Sequence, residues 1–363
     1  MLSGDSRIHF ASGARGSRLV HYLTIAYLLL VAYASLYPFS DWRAPTPEVR
    51  AFLTASWPHY ITWTDIALNV LAYVPLGILL CLVLLPRLPR LLAALIAGAA
   101  GTGISLGMEM LQVYLPARIP NNVDLLCNGA GAFFGAAVSA VFGRRWVLSG
   151  ELRRLRERWF EHGRAADVCF LLLAVWLVTQ LNAEIWLFGN GDVRHLFPEV
   201  TGVVYSASSY AFLEAGVAAL NYLGVALMLT AISRSFGAAA ASLLLLTLVA
   251  LGLKSLASAA LFIPGNPGLW LTPGSMWGLG AGFALWLALA LFPKSFQAVM
   301  ATTCLAMGMA LVNAAPENPY VSAALRVWQH GHYASMTEMT RTVSSAWSFI
   351  AIAYLAYAGY RTR

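Results

Sequence analysis

Apolar runs of about 17–25 residues, broken by short polar stretches, recur along the whole chain, and that is the length an α-helix needs to cross a bilayer. The pattern predicts spans near 19–38, 65–85, 91–115, 123–142, 168–188, 211–232, 238–262, 276–292, 296–314 and 343–360. The fold class is therefore all-α, a polytopic transmembrane helical bundle of about ten spans. Pro75 with Gly77 is expected to kink the second span and free the carbonyl of Leu71 near Tyr73.

The basic residues give this register a sidedness. With the N-terminus in the cytoplasm, sixteen of the 23 Lys and Arg residues fall on the cytoplasmic side and six on the other, with Lys254 inside a span. Moving the register by one span destroys that positive-inside bias, so both termini are expected in the cytoplasm. A competing reading takes 15–34 as a signal peptide, with Arg15 and Arg18 before an apolar core and Ala32-Tyr33-Ala34 as the cleavage site.

Internal similarity counts against that alternative. "ASLYPFSDWR" after the first span is matched by "EIWLFGNGDVR" after the fifth, and "LNVLAYVPLGILL" by "LNYLGVALML", which aligns Asn69 with Asn221. "SLGMEMLQ" is matched by "ALGLKSLA", so that Glu109 aligns with Lys254, and "GAGAFFG" by "GLGAGFA". Repeats of four spans keep the same orientation and predict a pseudo-twofold axis along the membrane normal. The expected organisation is a four-helix unit at 19–142, a basic amphipathic linker at 143–166, a degenerate second repeat at 167–292, and a two-span extension at 293–363 with a long outer loop.

Composition narrows the class further. Hydrophobic residues make up 59% of the 363 residues and charged residues 11%, against about a quarter charged in soluble domains. Cys81, Cys127, Cys169 and Cys304 lie in four separate apolar runs and suit neither a disulfide framework nor a metal site. The net charge of +7 follows membrane sidedness and does not point to nucleic acid. Within 144–164, Leu148, Leu152, Leu155 and Trp159 recur at helical spacing among arginines, so this segment is expected to lie on the membrane surface and attract anionic phospholipids.

Polar residues inside spans are costly and tend to face the bundle interior. Here they come in ordered pairs. Asp65 and Asn69 share a face of the second span, Glu109 and Gln112 one of the third, and Asp124 and Asn128 one of the fourth, all at the outer end. Arg118 lies in the short loop between the last two pairs, and Asn121 or Asn122 is placed to cap the fourth span. That N-terminus with Arg118 would suit a phosphate or carboxylate. In the bland alternative Arg118 pairs with Glu109 or Asp124 and the amides only link helices. The first half is expected to carry the site and the second, mostly apolar at matching places, to brace it. The Gly129–Gly135 stripe reads as close helix packing, and His330 with His332 finds no third ligand, so no metal or cofactor is expected. The outer loop that holds this histidine pair is placed to cover the site as an interfacial helix.

Three segments, "DIALNVLAYVPLG", "SLGMEMLQVYLPAR" and "NNVDLLCNGAGAFFG", resemble the VanZ-like family of bacterial membrane proteins over roughly 20–142. The family's polar residues fall here on Asp65, Asn69, Glu109, Gln112, Arg118, Asp124 and Asn128; the long second half departs from its compact members. The resemblance implies a multi-pass protein of the bacterial inner (cytoplasmic) membrane, and its founding member confers resistance to teicoplanin-type glycopeptides. It implies action at the outer leaflet on a lipid or lipid-linked anionic envelope component. Asp65, Asn69, Glu109, Gln112, Arg118, Asn122, Asp124 and Asn128 are the candidate binding residues, with Glu109 and Asp124 the candidate acid and base. No nucleophile accompanies them, so catalysis stays open. A transporter or flippase for an anionic precursor is the alternative, disfavoured because the polar residues do not continue through the midplane; a membrane scaffold is another.

Overall fold

The structure is a computed structural model and describes residues 10–44, 49–58, 60–148, 151–194, 206–259, 266–316 and 332–361. The chain is helical, with no β-strand among the described residues. It divides into two compact units, 1–157 and 158–363.

In the first unit α1 (Phe10–Leu36), α3 (Trp63–Leu84), α4 (Arg90–Gln112) and α5 (Asn122–Val138) pack together, with a short α2 (Ala51–Thr54) against α5. A π-helical stretch, Ser139–Leu148, continues α5, and α6 (Glu151–Trp159) follows. The second unit holds α7 (Arg164–Thr179), α8 (Ala207–Ile232), α9 (Phe236–Ala257), α10 (Pro273–Leu289), α11 (Lys294–Ala314) and α12 (His332–Arg361). Seven helices among the described residues are long and apolar enough to cross a membrane: α1, α3, α4, α5 with its extension, α8, α9 and α11.

The other three expected spans are helical but different in kind. The helix expected over 168–188 stops at Thr179, and its 16 residues reach about 24 Å, short of a hydrocarbon core of about 30 Å. Polar side chains end it. Thr179 Oγ1 and Gln180 Nε2 both donate to the Trp176 carbonyl, and Asn182 Oδ1 accepts from the N–H groups of Glu184 and Ile185. Such side chains offer the backbone a partner outside the helix ladder. The span expected at 276–292 is the 17-residue α10. That at 343–360 lies within α12, whose first half is diluted by Ser, Thr and charged residues.

Small residues set the helix spacing. A Cβ on Gly131 would lie 2.2 Å from the Val70 carbonyl oxygen, and one on Gly135 2.0 Å from that of Val74, so α3 and α5 meet backbone to backbone. The stripe expected to serve packing does so. The second unit uses the same device: Cβ atoms on Gly278 and Gly282 of α10 would meet the Ala215 and Ala219 carbonyls of α8. The aligned asparagines, however, sit in different contacts. Asn69 bonds to α5, whereas Asn221 packs against Gly308 of α11.

Pro75 lies inside an α3 that continues on both sides, and the Tyr27 hydroxyl donates to the Ala72 carbonyl at 2.7 Å, one residue beyond the carbonyl expected to be freed. The loop expected to cover the site, including His330, falls largely outside the described residues, which begin again at His332.

Gly135→Ala drives a methyl into backbone on the facing helix, and we expect it to cost about 1–3 kcal/mol, read as a lower thermal unfolding midpoint of the purified protein. At Gly103 an added Cβ meets nothing within 4 Å. Gly103→Ala should therefore leave the midpoint unchanged or slightly raised, because alanine is the better helix former.

Candidate functional site

The first unit gathers polar groups at the end where α3 and α5 begin and α4 ends. Asn121 is the N-cap of α5, its side chain accepting from the Val123 N–H at 2.9 Å. Its own N–H donates to Glu109 Oε2 at 2.8 Å. A carboxylate from another helix thus completes the cap, the tertiary counterpart of a capping box, and Glu109 is almost wholly buried in doing so. The place expected for a phosphate or carboxylate at this helix N-terminus is held by a group of the protein itself. Asn69 Nδ2 donates to Asp124 Oδ1 at 2.7 Å, and Glu109 lies within electrostatic reach of both Asp124 and Arg118. Of the candidate residues, Asn69, Glu109, Asp124 and Arg118 are thus brought near one another.

The remaining candidates are tied to backbone. Arg118 Nε donates to the Tyr37 carbonyl and its Nη2 to that of Ala34, both at 2.8 Å, so the guanidinium holds the C-terminal end of α1. Burial lowers the Arg118 pKa from its ordinary value, opposed by the charge of Glu109 and by Tyr37; a guanidinium stays a cation at any physiological pH. Gln112 Nε2 donates to the Ser35 carbonyl at 3.0 Å, and Asn122 Nδ2 to that of Ala55 at 2.8 Å. Asp65 closes a capping box with Thr62 at the start of α3, which is a structural role.

Asn128 belongs to a second, deeper level. Its Nδ2 donates to Ser105 Oγ at 2.9 Å, and Tyr73 lies beside Ser105 and Glu109. Tyr73 and Ser105 were not among the candidates, yet both carry a sequence signal. Tyr73 is Asn69 plus four, Ser105 is Glu109 minus four, and Asn128 is Asp124 plus four, so each stands one helical turn inward from a residue of the outer cluster. The same step taken once more reaches Gly77, Gly101 and Ala132. There the polar groups stop: a Cβ on Gly77 would lie 2.1 Å from the Ala132 carbonyl oxygen, and one on Gly101 2.6 Å from the Ala132 Cβ. In the first level Asn69 and Asp124 are half-buried and Glu109 is buried; the second level is buried, and the third is closed by small residues in contact.

The second unit is richer in buried polar groups than its sequence suggested. The irregular segment after α7 runs through Asn190, whose Oδ1 accepts from Thr179 and Ser344 at 3.0 Å each. Lys254, buried, donates to the carbonyls of Asn182 and Ile185, and the Arg341 guanidinium bonds to Glu184 and Glu338 at 2.9 and 2.6 Å. Non-helical backbone deep in a membrane protein needs such partners, and periodicity alone cannot reveal which side chains will supply them. Asp192 is affected by burial, which pushes its pKa up, but the bonds and charge of Arg194 outweigh this and hold it below the usual carboxylate range. Among the described residues no three His, Cys, Asp or Glu side chains converge as metal ligands.

Replacing Glu109 by Ala leaves the Asn121 N–H without its acceptor, and we expect a loss of about 1–3 kcal/mol. Glu109→Gln keeps an acceptor oxygen in the same place and should lose much less. Unfolding midpoints of the two purified variants decide between them.

Residues 20–143 match the model of the VanZ/LLP1 family. No curated protein and no solved structure matches the chain.

Proposed function

With residues 20–143 a VanZ-like unit of a membrane protein, we propose that this unit binds the polar part of a lipid-linked, anionic envelope component at the outer leaflet of the bacterial cytoplasmic membrane. By doing so it lowers the sensitivity of the cell to teicoplanin-type glycopeptides. The observation that carries the reading is the depth profile of the cluster: half-buried Asn69 and Asp124 above buried Glu109, Tyr73, Ser105 and Asn128, with close-packed small residues beneath. That is a shallow receptor at one end of a helix bundle. The excess of basic residues in the loops of the other side favours an outward-facing site, and the arginines of 144–164 suit anionic phospholipids on the inner face.

The residues divide the work. Glu109 occupies the N-terminus of α5, so an anionic group of the ligand is drawn to Arg118. Two of the arginine's donors are committed to α1, which makes it a source of charge more than a full bidentate fork. Asn69 and Asp124 offer an amide and a carboxylate to hydroxyl or amide groups. If a bond is made or broken, the neighbouring carboxylates of Glu109 and Asp124 are the acid and base. A transport path through this unit meets the contact of Gly77 and Gly101 with Ala132, which favours binding over passage. The bonds of Gln112, Arg118 and Asn122 to carbonyls favour a scaffold, and the test must separate that reading from a site.

Surface binding of a fluorescent lipoglycopeptide to a sensitive bacterial host provides the test, with wild type, Glu109→Gln, Asp124→Asn and Arg118→Ala at equal membrane abundance. The first two variants each retain an acceptor oxygen and remove only a charge. We expect wild type to reduce bound drug several-fold and the charge variants to restore it while remaining folded. Wild type without effect overturns the proposal. Glu109→Gln and Asp124→Asn that act as wild type does would make the cluster a scaffold.

A further inference from the structure

At the end of the first unit where α3 and α5 begin, the connections between helices carry aromatic side chains that the unit leaves exposed. Trp57, Tyr60 and Trp63 are 67%, 95% and 85% exposed, and Phe39, Trp42 and Leu53 are exposed as well. Apolar groups gathered in this way mark a contact surface. The structure fixes their depth. The spans Trp63–Leu84 and Asn122–Gly143 each hold 22 residues, about 33 Å of helix, which matches a hydrocarbon core of about 30 Å. Trp63 and Asn122 therefore stand at one boundary of that core. Asn122 Nδ2 donates to the Ala55 carbonyl at 2.8 Å, and Phe52 is the buried residue of α2, which packs against α5, so this segment is pinned at the same boundary. Trp57 is two residues from Ala55, at most about 7 Å of chain, comparable with the headgroup layer of one leaflet, about 5–8 Å. The Arg43 N–H donates to the Tyr114 carbonyl, just past the end of α4, at 3.0 Å, which brings Trp42 to this end too.

From this placement we infer that Phe39, Trp42, Leu53, Trp57, Tyr60 and Trp63 form a collar seated in the headgroup layer of the leaflet at this end, with Trp57, Tyr60 and Trp63 as its anchors. Chemistry selects the partner. Trp and Tyr join an apolar ring to a polar tip, which suits the layer between water and hydrocarbon better than either. Charge removes any need for anionic lipid. Between α1 and α3, Asp41 and Glu48 balance Arg43 and Arg50, whereas 144–164 sets seven arginines against three glutamates. The collar thus contacts the bilayer interface itself and is indifferent to headgroup charge. Continuity supports lipid over a second copy of the chain, because the connection runs from the end of one span to the start of the next. The polar cluster occupies the same helix ends, so the collar sets the depth at which that cluster meets lipid. It needs no ligand there and stands apart from the headgroup reading.

Spin-label accessibility of the purified full-length protein in nanodiscs tests this. Cys127→Ala removes the one native thiol that is not buried, and Ser56→Cys, at an exposed position beside Trp57, takes the label. In phosphatidylcholine, its collision rates with oxygen and with a water-soluble nickel chelate should give the ratio of a lipid labelled at its headgroup. Added phosphatidylglycerol should leave that ratio unchanged. Trp57→Ala with Tyr60→Ala alters only exposed side chains and should raise the nickel collision rate several-fold. A ratio like that of bulk water overturns the inference. So does a label shielded from both reagents, because protein, such as a second copy, then covers the segment. Interfacial depth that appears only with phosphatidylglycerol overturns the charge-indifferent partner, and collision rates unmoved by the double substitution overturn the aromatic anchors. No drug or envelope ligand enters this assay, so its failure is distinguishable from failure of the headgroup reading.

Discussion

The backbone contact between α3 and α5 fixes the geometry of the first unit. Gly131 and Gly135 let the carbonyls of Val70 and Val74 lie against α5, and in a bilayer, where lipid tails are as apolar as leucine, such close packing replaces the hydrophobic drive of water. Asn69 stands next to Val70, and Asp124 lies two turns before Gly131. The 2.7 Å bond between their side chains therefore follows from a spacing set by the glycines. A wider pair of helices would separate the amide from the carboxylate and open the floor below them.

The second constraint is that buried backbone and side-chain polar groups must find partners inside the protein. The two units meet it differently. In the first, helices run to their ends and the polar side chains serve those ends: Asp65 caps α3, Asn121 and Glu109 cap α5, and Arg118 takes the last carbonyls of α1. In the second, α7 stops short, and its irregular continuation is held by Lys254, Asn190, Asn313 and residues of α12. The lysine aligned with Glu109 thus acts as a donor to carbonyls, whereas Glu109 accepts from an N–H. The second unit has a polar interior of its own.

The N-terminus of α5 shows how one bond changes a functional reading. Alone, an asparagine-capped helix start beside an arginine is a receptor for an anion. With Glu109 bonded to Asn121, the positive end of the helix is already answered. In the proposed reading, recognition at the first level depends on Arg118 for charge and on Asn69 and Asp124 for hydroxyl or amide groups. The buried level one helical turn beneath holds Tyr73, Ser105 and Asn128.

Sequence alone determined the helical class, the polar pairs and the packing stripe, because each is written in local spacing: apolar runs of membrane length, acidic and amide residues at i and i+4, small residues at i and i+4. It also identified the segment that matches the VanZ/LLP1 family. The partner of each polar group was decided by tertiary structure. Nothing in the spacing says that Arg118 bonds to carbonyls of α1 some eighty residues earlier, or that Glu109 rather than a ligand completes the cap of α5. The early end of α7 was equally hidden, since Gln180 and Asn182 stand in a stretch apolar enough to read as a span, and only the backbone carbonyl and N–H groups within their reach make them helix breakers. Hydropathy records how costly a residue is in lipid; which partner removes that cost depends on groups that the fold brings from distant parts of the chain.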